Sequence, residues 1–322
     1  MSGASEILPM GITADHEAEL VAADPAQLAA IEPLPMVAVL PKPEPELQTP
    51  ASPWEWPVRV LFGVLLAVLA ITALSFGGFY FAGFVGLIAV TAGREWHRLV
   101  AGPSFGVETV LTGAIVLAAL AVFALWPRDS GLWSLAILAA GAGLSAGVAH
   151  LRGTSELWNG IAPLYLGVPA LSMVALDHYQ PHGGWIVFEV FLITWAADSG
   201  ALIFGKLIGG PKLAKKISPN KTWAGFIGGT LLPALIASAI VAVLGGDAEG
   251  AAIFGVVLAL AGHAGDLFES WVKRSRGIKN SGGLIPGHGG MLDRIDSALF
   301  VATTAAIAIF VLGIDPLFGA FG

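Results

Sequence analysis

Residues 105–126 read FGVETVLTGAIVLAALAVFALW, an apolar run in which Glu108 is the single ionisable side chain. A helix needs about 20 consecutive apolar residues to span the hydrocarbon core of a bilayer. Eight other stretches of similar character occur in the chain. We therefore predict an all-α, polytopic integral membrane helical bundle with about nine transmembrane helices. The predicted spans are residues 58–75, 78–93, 105–126, 131–149, 157–176, 185–205, 223–245, 250–269 and 295–314.

The composition of the whole chain supports this prediction. Of 322 residues, 56% are hydrophobic and 12% are charged, and the mean hydropathy is +0.78. Soluble domains contain about 25% charged residues, so this chain has too few charges to cover a soluble surface. The chain has no cysteine. This excludes a disulfide scaffold, thiolate catalysis and metal centres with cysteine ligands.

The acidic charge of the chain is concentrated at the N-terminus. Residues 1–55 contain nine acids and one base, whereas the rest contains 14 acids and 15 bases. The first segment is also rich in proline and alanine. We predict that residues 1–55 form a disordered, acidic cytoplasmic tail, and that residues 56–322 form the transmembrane domain.

The basic residues give the predicted orientation. With the tail in the cytoplasm and nine alternating spans, 15 of the 16 Lys and Arg residues fall on the cytoplasmic side, and only Arg128 falls on the other. Cytoplasmic loops of membrane proteins are enriched in Lys and Arg. We therefore predict a multi-pass protein with a cytoplasmic N-terminus.

Two cytoplasmic stretches, residues 195–225 and 265–297, hold most of the polar residues. Asp198, Asp266 and Glu269 lie within or at the edge of apolar spans, where each charge costs about 2.5–3.5 kcal/mol on insertion scales. Helical spacing offers Asp266 a partner in Ser270 and Glu269 a partner in Lys273. An ion pair or a functional role fits Glu269 equally well. No base lies at helical spacing from Asp198 or Asp266, which favours a bound cation there.

The second stretch contains a glycine-rich loop, SGGLIPGHGG, at residues 281–290. Backbone N–H groups of such loops can line an anion-binding concavity. Basic residues flank the loop and favour a phosphate site; they are Lys273, Arg274, Arg276, Lys279 and Arg294. Asp293 and Asp296 then share one face of the first turn of the last helix. They either stabilise the helix N-terminus or hold a divalent metal against a phosphate.

The first stretch has a weaker version of the same pattern. Residues 218–222, Ser-Pro-Asn-Lys-Thr, are predicted to open a helix. Hydroxyls and a lysine at a helix N-terminus form an anion-binding arrangement. Elsewhere, Glu95 precedes Arg98 by three residues, and this spacing predicts an ion pair that needs no further function.

The run from Ser270 to Asp296, SWVKRSRGIKNSGGLIPGHGGMLDRID, resembles the signature of phosphatidate cytidylyltransferases, the CDP-diacylglycerol synthases. Residues 198–201 and 218–222 are similar to a second block of that family. The resemblance implies transfer of CMP from CTP to phosphatidate, giving CDP-diacylglycerol and pyrophosphate, with Mg²⁺. It also implies a membrane-embedded protein of the bacterial inner (cytoplasmic) membrane. We expect no nucleic-acid partner and allow for a homodimer.

The resemblance also implies roles for individual residues. The metal ligands would be Asp266 and Asp293, with Asp198 and Asp296 further out or as alternatives. The residues that hold the phosphates of CTP would be Ser218, Lys221, Thr222, Lys279, Gly289 and Gly290. The residues that neutralise the triphosphate and the lipid phosphate would be Lys273, Arg274 and Arg294. His288 would organise the loop or contact a phosphate.

Three other interpretations remain open from the sequence. A CTP-dependent polyprenol or phytol-type lipid kinase would transfer the terminal phosphate in place of CMP. A membrane transporter would also contain intramembrane acids and glycine-interrupted helices. An inactive paralogue is a third alternative, because Asn280 and Ala224 stand where the family usually has carboxylates.

Overall fold

The computed structural model describes residues 55–102, 106–179, 182–278, 281–282 and 289–314, with side chains from residue 61 onward. These residues form nine helices and one two-stranded sheet. Nearly all of residues 1–55, the predicted tail, lies outside them. The helices and strands are α1 (Glu55–Phe76), α2 (Gly78–Ala101), α3 (Val107–Leu125), α4 (Gly131–Leu151), α5 (Glu156–Asp177), α6 (Gly183–Leu207), β1 (Lys212–Ala214), β2 (Ser218–Thr222), α7 (Trp223–Val243), α8 (Ala248–Ser275) and α9 (Leu292–Ala306). A π-helical turn, Ile307–Val311, continues α9.

The predicted helical membrane bundle is confirmed, but the predicted number of spans is not. Seven helices of the described chain are long and apolar enough to cross a membrane: α3 to α8, and α9 with its π-helical turn. Helix α2 carries Arg94, Glu95 and Arg98 in its last turns, and α1 is apolar over Leu61–Phe76. Large apolar side chains such as Val243 (87% exposed) cover the outer surface, as expected for contact with lipid.

Several helix termini meet at one end of the bundle, which we call the hairpin end because β1 and β2 lie there. Arg274, near the end of α8, donates to the carbonyl of Ile217 between the strands. Glu95, near the end of α2, accepts from the backbone N–H of Leu292 at the start of α9. Polar residues from separate parts of the chain are thereby brought to one end of an apolar bundle.

The prediction that residues 218–222 open a helix is wrong. Ser218–Thr222 forms strand β2, which pairs antiparallel with β1. A proline disfavours helical geometry in the residue before it, so Ser218–Pro219 prefers an extended backbone. The helix begins at Trp223, and the Thr222 hydroxyl caps it by accepting from the N–H of Gly225 at 3.1 Å. The all-α prediction therefore needs this short hairpin added.

Helices α6 and α7 cross at very short range because glycines line their contact. A Cβ atom added to Gly225 would lie 2.7 Å from the carbonyl oxygen of Ala201, and one added to Gly200 would lie 2.6 Å from that of Gly228. Small residues permit such approach between membrane helices. The crossing lies next to Asp198 and Lys221, so helix packing sets the distance between these two charged residues.

A buried apolar cluster supports the hairpin end from inside the bundle. Trp96, Leu166, Val272 and Leu292 meet there from α2, α5, α8 and α9. The indole Nε1 of Trp96 donates to the carbonyl of Trp158 at 3.0 Å. This cluster fixes the ends of four helices relative to each other.

Candidate active site

Five carboxylates from α6, α8 and α9 lie near the hairpin end. Asp198 and Asp266 each precede the last residue of their helix by nine positions, which is a depth of about 14 Å at 1.5 Å per residue. Asp198 interacts electrostatically with Asp266, and Asp266 with Asp296. The members of this acidic cluster are Asp198, Asp266, Glu269, Asp293 and Asp296.

Asp266 has a basic partner, contrary to the expectation from helical spacing. Its Oδ2 forms an ion pair with the Nζ of Lys221, and its Oδ1 accepts from the Ser270 hydroxyl at 3.3 Å. The lysine comes from β2 and not from the same helix. Helical spacing within α8 therefore does not predict this pair. The predicted contact between Asp266 and Ser270 is confirmed.

Lys273 connects two carboxylates of the acidic cluster. Its Nζ lies 3.1 Å from Oε2 of Glu269 and 2.6 Å from Oδ1 of Asp293. The lysine is 8% exposed and Glu269 is fully buried. The predicted pair between Glu269 and Lys273 is confirmed, and the bond to Asp293 ties α8 to the start of α9.

Asp293 also binds the two described ends of the glycine-rich loop. Its Oδ2 accepts from the N–H of Gly290 at 2.8 Å and from the N–H of Ser281 at 3.1 Å. Gly289, with φ of +80°, lies against the same carboxylate. The positive φ explains a glycine there, because other residues rarely adopt this conformation. Asp293 is therefore the residue on which α8, α9 and the loop converge.

Asp296 faces the interior side of the acidic cluster. Its Oδ1 accepts from the N–H of Ser297 at 2.8 Å, and its carboxyl neighbours that of Glu269. The Oε1 of Glu269 and the hydroxyl of Tyr165 have no hydrogen-bond partner among the described residues. Tyr165 interacts electrostatically with both acids, so it belongs to this polar interior although the sequence did not single it out.

The two predicted arginines occupy different positions. Arg274 is exposed and donates to the carbonyls of Ile217 and Ile278, at 3.3 Å and 2.9 Å, so it braces the hairpin against the end of α8. Arg294 interacts electrostatically with Asp198. Of the two, Arg294 is thus the one that the structure brings to the acidic cluster.

The remaining predicted residues are only partly described. Ser218 pairs with Ala214 in the hairpin, and Thr222 caps α7. Both residues lie close to Lys221 because all three belong to strand β2. Lys279, Asn280 and His288 lie outside the described residues. The predictions made for Lys279 and His288 therefore stay predictions.

The carboxylates outnumber the cations around them. The five acids of the acidic cluster face three basic side chains, Lys221, Lys273 and Arg294. Within the described part of the chain, no three Asp, Glu or His side chains form a ready-made metal group. Carboxylate oxygens are nonetheless the ligands that Mg²⁺ prefers, and Mg²⁺ usually takes one or two carboxylates plus substrate phosphates.

Glu95 is a site residue that sequence reasoning missed. The spacing suggested an ion pair with Arg98, but its carboxylate accepts from the Ser281 hydroxyl and from the N–H of Leu292 instead. It is 5% exposed. The sequence does show an acid next to Trp96 at the end of an apolar span. This feature does not predict that the acid binds Leu292, almost 200 residues away.

Comparison with known proteins agrees with the geometry. The profile of the "Cytidylyltransferase family" matches residues 57–312. A phosphatidate cytidylyltransferase of Brucella suis is 33% identical over 255 residues, covering 78% of this chain and 92% of that protein. Proteins of the same name from Haemophilus influenzae and Staphylococcus aureus are 33% and 30% identical. They match 78% and 76% of this chain, and 96% and 95% of their own length.

The family match covers the helices that carry the acidic cluster, the hairpin and both ends of the glycine-rich loop. It therefore confirms the resemblance that the motif at residues 270–296 indicated. Together with the seven apolar helices, it identifies a membrane protein with its polar site at one end of the bundle. The chain belongs to the cytidylyltransferase family.

Proposed function

We propose that the protein is a phosphatidate cytidylyltransferase that transfers CMP from CTP to phosphatidate, releasing pyrophosphate. The observation that carries this proposal is the acidic cluster with Lys221 and Lys273, set in membrane helices of a chain from this family. A phosphate oxygen of phosphatidate attacks the α-phosphorus of CTP, and the bond to pyrophosphate breaks. The lipid phosphate is ionised near pH 7, so the attack needs no general base.

The chain's own task is to position the substrates and neutralise charge. Lys221 and Lys273 are held by carboxylates, which orients their ammonium groups before substrate arrives. Phosphate oxygens would share these amines with the carboxylates. Arg294 adds a third cation beside Asp198. We propose that these three cations stabilise the charge that develops on the triphosphate and the lipid phosphate.

Magnesium is part of the proposal. The five carboxyl groups of the acidic cluster supply oxygen donors of the kind that bind a divalent cation arriving with CTP. Asp266 and Asp293 would hold it, with Asp198 and Asp296 further out or as alternatives. Bound Mg²⁺ would withdraw charge from the phosphoryl oxygens and orient the leaving group.

The proposed setting is the inner membrane of a bacterium, with the N-terminus and the hairpin end in the cytoplasm. Lys206, Lys212, Lys215 and Lys216 lie at or near that end, and cytoplasmic loops are rich in such bases. CTP would then enter from water and phosphatidate from the bilayer. A homodimer stays a prediction.

Two radiolabelled forms of CTP test the reaction. Purified protein in detergent is incubated with phosphatidate, Mg²⁺ and CTP labelled at either the α- or the γ-phosphate. We expect the α-label in the lipid and the γ-label in pyrophosphate. The γ-label in the lipid would indicate the kinase. If neither label enters the lipid although the protein is folded, as judged by cooperative unfolding, the proposal is overturned. Glu156→Gln is the matched control because this acid is exposed and pairs with His150, outside the site.

A further inference from the structure

Glu95 connects two segments that are far apart in the chain. Its Oε2 accepts from the hydroxyl of Ser281 at 3.3 Å and from the N–H of Leu292 at 2.8 Å. One carboxylate oxygen therefore binds a residue on each side of the glycine-rich loop. Because Leu292 is the first residue of α9, the same bond holds the start of that helix.

The contact shares a residue with Asp293. The Ser281 hydroxyl donates to Glu95, while the Ser281 N–H donates to Asp293 at 3.1 Å. The Gly290 N–H, on the other side of the loop, donates to Asp293 at 2.8 Å. Glu95 and Asp293 thus both accept from Ser281, and each also accepts from a backbone N–H within residues 290–292.

The packing around Glu95 leaves no room for side chains on its neighbours. A Cβ atom added to Gly282 would lie 2.5 Å from Oε1 of Glu95, and one added to Gly290 would also contact this carboxylate. Because these two glycines have no side chain, their backbone can lie close to the Glu95 carboxylate. Neither glycine needs a positive φ for this role, in contrast to Gly289.

The end of α2, which carries Glu95, is fixed by the packing of the neighbouring Trp96. The neighbouring Trp96 is fully buried, donates from Nε1 to the carbonyl of Trp158, and packs against Tyr165 with ring centroids 4.6 Å apart. A buried carboxylate is costly unless it is hydrogen-bonded, and bonds to an ionised acceptor are stronger than neutral ones. Because Oε1 of Glu95 has no hydrogen-bond partner among the described residues, the bonds from Ser281 and Leu292 to Oε2 are the ones that offset the burial of this carboxylate.

We propose that Glu95 is a positioning residue: by holding Ser281 and the first turn of α9, it sets the placement of Asp293 and, through Asp293, of Lys273. Among the described residues, the hydrogen bonds of Glu95 go to Ser281 and Leu292 and not to these two side chains. The consequence for catalysis rests on the proposed function, because Asp293 and Lys273 act there on the metal and the phosphates. The positioning itself does not depend on that function and can be measured without turnover.

Thiol labelling measures the positioning. The wild-type chain has no cysteine, so Met291→Cys places a single thiol between Gly290 and Leu292, where Met291 packs against the cluster around Trp96. In this background we expect Glu95→Ala to label at least about tenfold faster, since breaking both bonds opens the segment locally. Glu95→Gln keeps an oxygen acceptor but loses the charge, and should give a smaller increase. Glu156→Gln should leave the rate unchanged.

Steady-state kinetics give the catalytic readout. We expect Glu95→Gln and Glu95→Ala to lower kcat, with little change in the KM for phosphatidate, because misplacing Asp293 affects the transition state more than lipid binding. The double variant Glu95→Gln/Ser281→Ala should lose less kcat than the losses of the two single variants combined, because both substitutions break the same hydrogen bond. A merely structural residue would instead lower the unfolding temperature and leave kcat per folded molecule unchanged.

The outcomes separate this inference from the proposed function. Unchanged labelling and unchanged kcat in folded Glu95→Gln and Glu95→Ala proteins would overturn the positioning role, even if the parent transfers CMP. Faster labelling in a parent that transfers no CMP would support the positioning role and refute the proposed function. If the alanine variant does not fold, Glu95→Gln, which preserves side-chain volume, decides between these outcomes.

Discussion

At the scale of single residues, Asp266 and Asp293 are both bound by a lysine, yet their surroundings differ. Asp266 is about one-third exposed and pairs with a lysine from the hairpin, whereas Asp293 is mostly buried and accepts from Lys273 and two backbone N–H groups. Both are proposed to hold Mg²⁺ with CTP. Asp293 additionally orders the ends of the glycine-rich loop.

Replacing either residue with Asn should reduce CMP transfer by at least about 10³, because a metal ligand is lost while side-chain size is kept. Asp296→Asn should cost less, and His288→Gln should leave the Mg²⁺ dependence intact. The measurement is the rate at varied Mg²⁺ concentration, with unfolding temperature as the control for folding. Rates within tenfold of wild type for both variants, with unchanged Mg²⁺ dependence, would exclude the proposed metal site.

Lys273 is the buried cation between two acids, and its removal tests the ion pairs directly. Lys273→Met keeps the apolar stem but leaves Glu269 and Asp293 without their cation. Removing one partner of a buried ion pair typically costs about 3–5 kcal/mol. We expect a marked drop in the unfolding temperature in detergent. Lys206→Met, at an exposed position of α6, should change it little, and equal effects of the two substitutions would contradict the assignment.

At the scale of helices and strands, the crossing of α6 and α7 brings the first polar stretch to the second. The hairpin follows α6 and returns to α7 at Thr222, so the spacing of these two helices sets where Lys221 can reach Asp266. Gly225 lies in this contact, in the first turn of α7 and three residues after the end of β2. The glycine is needed for close approach and not for an unusual backbone conformation.

Gly225→Ala should push α6 and α7 apart, because the added methyl group would meet the carbonyl of Ala201 at 2.7 Å. Overpacking of this kind typically costs about 1–3 kcal/mol. We expect a lower unfolding temperature together with lower CMP transfer. Gly143→Ala is the matched control, since a Cβ there meets nothing within 4 Å. An unfolding temperature equal to that of the control would show that the crossing tolerates a side chain.

At the scale of the whole molecule, the seven apolar helices and the hairpin end predict on which side of the membrane the chemistry occurs. The absence of cysteine allows single cysteines to report sidedness without background. In intact cells, an impermeant thiol reagent should label a cysteine at position 180 and spare one at position 212 or 216. The reverse pattern would place the hairpin end outside the cytoplasm, away from CTP.

The apolar runs predict a helical membrane bundle because the bilayer excludes charges and demands that each span satisfies its own backbone hydrogen bonds. The spacing of four residues likewise predicts the contacts of Asp266 with Ser270 and of Glu269 with Lys273, since both partners lie on one face of a single helix. The motif at residues 270–296 predicts the family. These inferences need only local information, and the structure and the comparisons confirm them.

The bonds between elements depend on the tertiary structure. Lys221 reaches Asp266 because a hairpin returns over the end of α8, and Glu95 reaches Ser281 and Leu292 because α2 packs beside α9. Hydropathy specifies that each helix is buried in lipid or protein, but it does not specify which helices become neighbours. Close contacts between helices, such as those at Gly225 and Trp96, determine which helices are neighbours. The arrangement of neighbouring helices in turn determines the positions of the charged side chains at the site.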